Sequence, residues 1–143
     1  MKKIVITDTI TKTVKKFTVK AKARGGFIMV YRTYADEIST LLIDEGSMTA
    51  LALLTRLSLR MDVSKNTYVT SATQLAEDMK ATRKTIVKAL ARLQSIHVVR
   101  VEELKSYMLR ITVSPYYAFH GSAEEGEVAL KNWDIYLKSE YIE

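Results

Sequence analysis

Two helix-capping residues, Ser71 and Thr82, constrain this chain more than any other feature. They bracket the run "SATQLAEDMKATRKTIVKALARL". A Ser or Thr just ahead of a helix accepts a hydrogen bond from an N–H two or three residues on, so each marks a helix start. Ser71 with Gln74 has capping-box spacing and predicts a helix over 72–79. Thr82 predicts a second helix, running to about Ser95. Only Lys80-Ala81-Thr82 lies between them, so the helices must pack across a tight turn. Ile86, Ala89, Leu90 and Leu93 follow the i, i+3, i+4, i+7 spacing of one buried stripe. Leu75 and Met79 on the earlier helix are its natural partners, and Ala76 is small enough to permit close approach.

The flanking segments supply the rest of a domain. Residues 3–8 and 13–20 alternate β-branched and polar side chains around "TITK", which predicts a hairpin. Gly25 and Gly26 make a joint, and "FIMVYR" reads as a short strand with Phe27, Met29 and Tyr31 on one face. Thr33 is expected to cap a helix over 36–44 that ends at Gly46. Ser47 starts another, from Met48 to about Met61. Its sequence, "MTALALLTRLSLRM", is apolar nearly all round, which marks the buried central helix. "VSKN" is a turn and "TYVT" a strand of minimal length. After Ser95, "HVVRVEE" and "SYMLRITV" form a hairpin through Leu104-Lys105. In it Val99 and Val101 share a face with Leu109, Ile111 and Val113. Pro115 ends it. Ser122 and Glu125 form a second capping box, opening a last helix to about Tyr136 or beyond.

Helix, helix, short strand, helix, tight turn, helix, hairpin is the order of a winged helix-turn-helix. The expected class is therefore α+β, mainly α. Three regions are expected: a basic hairpin extension over 1–24, the winged helix-turn-helix over 25–121, and an acidic helix over 122–143.

Charge sharpens this reading. The chain has net charge +6, distributed unevenly. Residues 1–32 hold nine Lys/Arg against Asp8 alone, while residues 122–143 hold Lys131 and Lys138 against six acids. Lys80 to Arg92 contains five cations and no acid. Arg83 and Lys84 fall in the first helical turn, where the macrodipole favours acids. A helix tuned only for stability would not carry them there. A helix whose outer face meets polyanionic DNA would. The expected reading face is Thr82, Arg83, Lys84, Thr85, Val87, Lys88 and Arg92. Arg100, Lys105 and Arg110 on the hairpin can reach backbone phosphate or a minor groove, although Glu102 and Glu103 near the tip also suit a purely structural hairpin. Lys12, Lys15, Lys16, Lys20, Lys22 and Arg24 can meet phosphate, or can protect a solvated strand edge. One module usually binds a specific site weakly, so a homodimer is expected. Ala129, Trp133, Tyr136 and Leu137 along one face of the last helix would be its contact, the alternative being that this face folds back on its own core.

Other chemistries lack their residues. There is no cysteine, and His97 and His120 stand apart, so no metal site is expected. No phosphate-binding glycine loop and no Ser/His/Asp arrangement occurs. Tyr116 and Tyr117 are adjacent, but no paired histidines accompany them as a tyrosine-nucleophile nicking enzyme requires. No catalytic residue and no cofactor is expected. Asp8 and the threonines cut the N-terminal apolar run short of a signal peptide, and no membrane span is visible, so the expected location is the cytoplasm.

Residues from about 26 to 121 resemble the winged-helix replication proteins of bacterial plasmids, the RepL type of Firmicutes. The likeness lies in "GFIMVYR", in "NTYVTSATQLAEDMKATRKTIVKALARL" and in the closing "ITVSPYYAFHG". Ser114 stands where that family usually has Asn, His120 where it has a basic residue, and Lys80-Ala81 where it has Gly and a hydrophobe. The resemblance implies origin binding and recruitment of a host replisome protein. The residues alone also allow a transcriptional regulator of the same fold, or a protein-interaction module with a basic face.

Overall fold

The leucines of "MTALALLTRLSLRM" organise the interior. In the structure, a computed structural model that describes residues 28–141, they form a helix over Met48–Arg60 (α2). The hairpin expected over 1–24, the Gly25-Gly26 joint and Phe27 lie outside the described residues. Leu53, Leu54 and Leu57 are completely buried, and α2 packs against a preceding helix (α1, Arg32–Asp44), a later helix (α4, Arg83–Ser95) and a strand (β4, Met108–Val113). The central position is as expected, but the burial is one-sided: Leu59 and Met48 face solvent.

Ahead of α1 is a short strand (β1, Met29–Val30), paired antiparallel with a distant one (β5, Ala118–Phe119). This pairing moves the start of α1. Thr33 was the expected cap, yet the helix begins at Arg32 with Tyr31 in the N-cap position and no side-chain cap. The Tyr31 N–H donates to the Tyr117 carbonyl at 3.0 Å, which holds Tyr31 extended and leaves the chain to turn directly afterwards. A tertiary bond fixed this boundary instead of a local one. Ser47 does precede α2, but its hydroxyl donates to the Glu45 carboxylate and makes no cap bond.

The paired helices agree with their sequence signals. The first (α3) spans Ala72–Met79, with Ser71 Oγ accepting from the Gln74 N–H at 3.0 Å. The Gln74 side chain does not reciprocate; it donates to Asp78. Ile86, Ala89, Leu90 and Leu93 of α4 are all buried, together with Leu75 and Ala76 of α3.

The hairpin joins a strand over Val99–Glu103 (β3) to β4, with Val99 opposite Val113 and Val101 opposite Ile111. Its turn extends through Lys105–Tyr107, beyond the expected Leu104-Lys105. The minimal strand (β2, Thr67–Ser71) pairs with the other side of β4, giving the order β2-β4-β3. Ser122 and Glu125 form the reciprocal capping box, at 2.9 and 3.2 Å, and open the last helix (α5, Ala123–Tyr141). The architecture is α+β and mainly α, with two small antiparallel sheets. No helix among the described residues is long and apolar enough to cross a membrane.

A buried polar knot holds these parts together. Asn66 is 1% exposed and left-handed, at φ 56°. Its amide nitrogen donates to the Val113 and Ala118 carbonyls at 3.0 and 2.7 Å, and its amide oxygen accepts from the His120 N–H at 3.2 Å. Asn tolerates left-handed backbone better than most residues, and its amide matches this mixed set of donors and acceptors. His120 Nδ1 also lies 3.2 Å from the Met61 carbonyl, so this histidine has a structural place.

Candidate nucleic-acid interface

The turn between α3 and α4 is built from backbone strain and a cap. Lys80 is left-handed, at φ 53° and ψ 45°, where a non-glycine residue costs on the order of 1 kcal/mol. Its N–H bonds back to the last turn of α3, and the Ala81 N–H donates to the Ala76 carbonyl at 2.9 Å. Thr82 Oγ1 accepts from the Thr85 N–H at 3.1 Å and lies 2.8 Å from Thr85 Oγ1. The two hydroxyls share one hydrogen, so a second remains available to an outside acceptor.

Thr82, Arg83, Lys84, Thr85, Val87 and Lys88 are all exposed. Among the described residues, no ion pair involves Arg83, Lys84 or Lys88. Lys84 and Lys88, four residues apart, stand on one line of the helix opposite its buried stripe. Arg83, Val87, Ala91 and Gln94 turn instead toward the hairpin. There they line one wall of a groove of about 760 Å³. Leu104, Ser106 and Tyr107 line the other wall, and Leu90, Val101 and Leu109 lie at its base. Gln94 Oε1 accepts from the Val101 N–H at 2.9 Å, pinning the helix to the hairpin. Glu103 is the acid on this groove.

Other expected contacts are committed elsewhere. Arg92, assigned to the reading face, grips Glu45 through Nε and a terminal nitrogen at 2.7 and 2.5 Å. Those bonds, with a third from the Ser47 hydroxyl, hold the Glu45 carboxyl at about 2, well below its ordinary 4.5. On the hairpin, Arg100 and Arg110 alternate with Val101 and Ile111 and so occupy the face away from the core. Both pair with Glu102, at 3.4 and 3.9 Å, and the Arg100 guanidinium lies 4.5 Å from the centre of the Tyr136 ring. Of the three hairpin cations, Lys105 at the turn is exposed and free of an ion pair among the described residues. Lys12, Lys15, Lys16, Lys20, Lys22 and Arg24 lie outside the described residues.

The expected dimer contact is also redirected. Trp133 is 5% exposed within its own chain, and Ala129, Tyr136 and Leu137 are half-buried beside it. Tyr136 packs against Trp133 with tilted rings, at 5.2 Å between ring centres, and its face meets the Arg100 guanidinium. The Tyr116 hydroxyl donates to Asp134 at 2.8 Å, which raises the phenol's pKa. The apolar stripe of α5 therefore packs on its own domain through Trp133, while Ala129, Tyr136 and Leu137 remain partly exposed.

The hairpin turn itself was missed. Ser106 and Tyr107 are consecutive left-handed residues, at φ 60° and 62°, with the Met108 N–H bonded to the Lys105 carbonyl. Two left-handed central residues make a mirror-image hairpin turn, a setting that favours Asn-Gly. Nothing in the pair Ser-Tyr signals it. Tyr107 is 87% exposed. Comparisons of the chain with protein-family models, with curated proteins and with solved structures returned no match.

Proposed function

We propose that this chain is a winged helix-turn-helix protein that binds double-stranded DNA at a specific sequence, with α4 in the major groove. The observation that carries the reading is the first half of α4. It is exposed, free of acids and unpaired, and it follows a tight turn on a helix whose other face is locked into the core. Arg83 at the helix start suits the paired acceptors of guanine, while Lys84 and Lys88 suit phosphate. Thr82 and Thr85 can donate to either. The groove between α4 and the hairpin gives one strand of the duplex a path between helix and wing.

The target is the origin of a plasmid or similar mobile element, which the protein marks for replication. This step rests on the resemblance in "GFIMVYR", the helix-turn-helix and "ITVSPYYAFHG". The test has two stages. Selection from a random duplex pool should return one consensus, and Arg83→Ala should weaken binding by roughly 1–3 kcal/mol and relax one base position. Enrichment of no sequence would refute the DNA reading. A plasmid carrying the gene and its flanking DNA should then persist in a host that cannot otherwise maintain it. Specific binding without persistence leaves a regulator, such as a repressor of its own gene.

A further inference from the structure

Arg100 and Arg110 sit on the hairpin's outer face and do not line the groove beside Arg83. Both pair with Glu102, and the Arg100 guanidinium lies against the Tyr136 ring of α5. What the hairpin presents beside Arg83 is its turn: Lys105, Ser106 and Tyr107.

Tyr107 is unusual on two independent counts. It is the most exposed of the large apolar and aromatic side chains among the described residues, at 87%. It also sits, with Ser106, in left-handed backbone that disfavours any side chain. Chains relieve such a turn with Asn-Gly at no cost to the hairpin. Here a strained turn carries an aromatic ring that its own chain barely covers. Strain held at an exposed site points to a contact outside the molecule. The neighbours indicate the chemistry of that contact. Tyr107 walls the same groove as Arg83 and Val87, and Lys105 precedes it in the turn. The groove is apolar at its base, with Arg83 on the helix wall and the acid Glu103 on the hairpin side, while Lys105 stands just outside its lining. An apolar channel beside the turn's lysine suits the sugar edge of a strand, whose phosphates lie outside it.

We infer that Tyr107 is a DNA-contacting residue whose ring lies against the sugar edge of the duplex strand running between α4 and the hairpin. The turn is held in its left-handed form to aim that ring. An aromatic side chain with a polar tip suits such a boundary, apolar against the sugar and wet at its hydroxyl. This inference rests on the duplex-binding reading above.

The test uses the full chain and the duplex it selects. Ser106→Asn with Tyr107→Gly rebuilds the turn in its preferred residues, so the melting temperature should hold or rise. Affinity should nevertheless fall roughly tenfold. The salt slope should not change, because a lost ring releases no counterion. Tyr107→Phe, which keeps the ring, should retain most of the affinity that the double variant loses. If the double variant binds within twofold of the parent, the inference is overturned and the duplex reading stands. An equal loss in Tyr107→Phe overturns ring packing, as does a shallower salt slope in the double variant. A parent chain that selects no duplex overturns both readings.

Discussion

Removing a free cation from the reading face should make duplex binding less sensitive to salt, whereas removing a paired one should not. Each phosphate neutralised by a protein cation releases counterions, and log K then falls against log salt with a slope of about −0.9 per contact. Arg83, Lys84, Lys88 and Lys105 are exposed and unpaired among the described residues, while Arg92, Arg100 and Arg110 already hold carboxylates. Alanine at Lys84, Lys88 or Lys105 should each shallow the slope by about 0.9, and all three together by about 2.7, whereas Arg83, assigned to a base, should change it little. Between 50 and 200 mM salt that combined change removes roughly 40-fold of the affinity loss. Had Arg92, Arg100 and Arg110 met phosphate as well, replacing all six would change the slope by about 5.4 and the loss by roughly 1800-fold. The assay is fluorescence anisotropy with a labelled duplex at several salt concentrations. Lysines in the first 27 residues contribute equally to every variant and cancel in the differences. A slope in Arg92→Ala or Arg100→Ala that shallows as much as in Lys84→Ala would show that ion pairing does not select the contacts.

Asn66→Ala should destabilise the fold by roughly 3–6 kcal/mol, because it strands two buried carbonyls and one N–H. Urea unfolding reads this directly, and a loss under about 1 kcal/mol would contradict the knot's role. Lys80→Gly should stabilise by roughly 1 kcal/mol, since glycine removes the left-handed penalty at that turn. A melting temperature at or below the parent's would show the turn to be unstrained. The Glu45 carboxyl should titrate near 2 by NMR, and in Arg92→Ala should return toward its ordinary 4.5. Its folded value is lowered, so its stabilising contribution is complete above about 4.5 and is lost as pH falls toward 2. A midpoint near 4.5 in the parent chain would mean the Arg92 contact does not form in solution.

The paired helices α3 and α4 were legible because their information is local. Ser71 and Thr82 fix where α3 and α4 begin, and a stripe at 3.6-residue spacing names the buried side chains before any partner is known. Alternation likewise placed Val99 and Val101 with Ile111 and Val113. What sequence could not supply was the identity of distant partners. The apolar face of α5 was visible, but periodicity does not say whether a helix covers its own domain or a second copy. Arg92 carries the same charge as Lys88, and only the fold brings Glu45, 47 residues away, within reach of one and not the other. Tyr31 takes the N-cap position of α1 because the Tyr117 carbonyl, 86 residues later, holds its N–H, overriding Thr33. Tyr107 was missed for the opposite reason: its residue type argues against the turn it occupies.

The Asn66 knot also sets a timetable for the chain as it is made. The three groups that its side chain binds belong to residues 113, 118 and 120, which lie 47–54 positions downstream. At roughly 5–20 residues per second of synthesis, Asn66 waits several seconds for them. During that interval α1, α2, α3 and α4 can each form and pack locally, but β2 has no β4 to pair with and β1 has no β5. Helix α4 is thus complete before the hairpin beside it; β2 stays unpaired on the ribosome until Met108–Val113 arrives, and β1 until Ala118–Phe119.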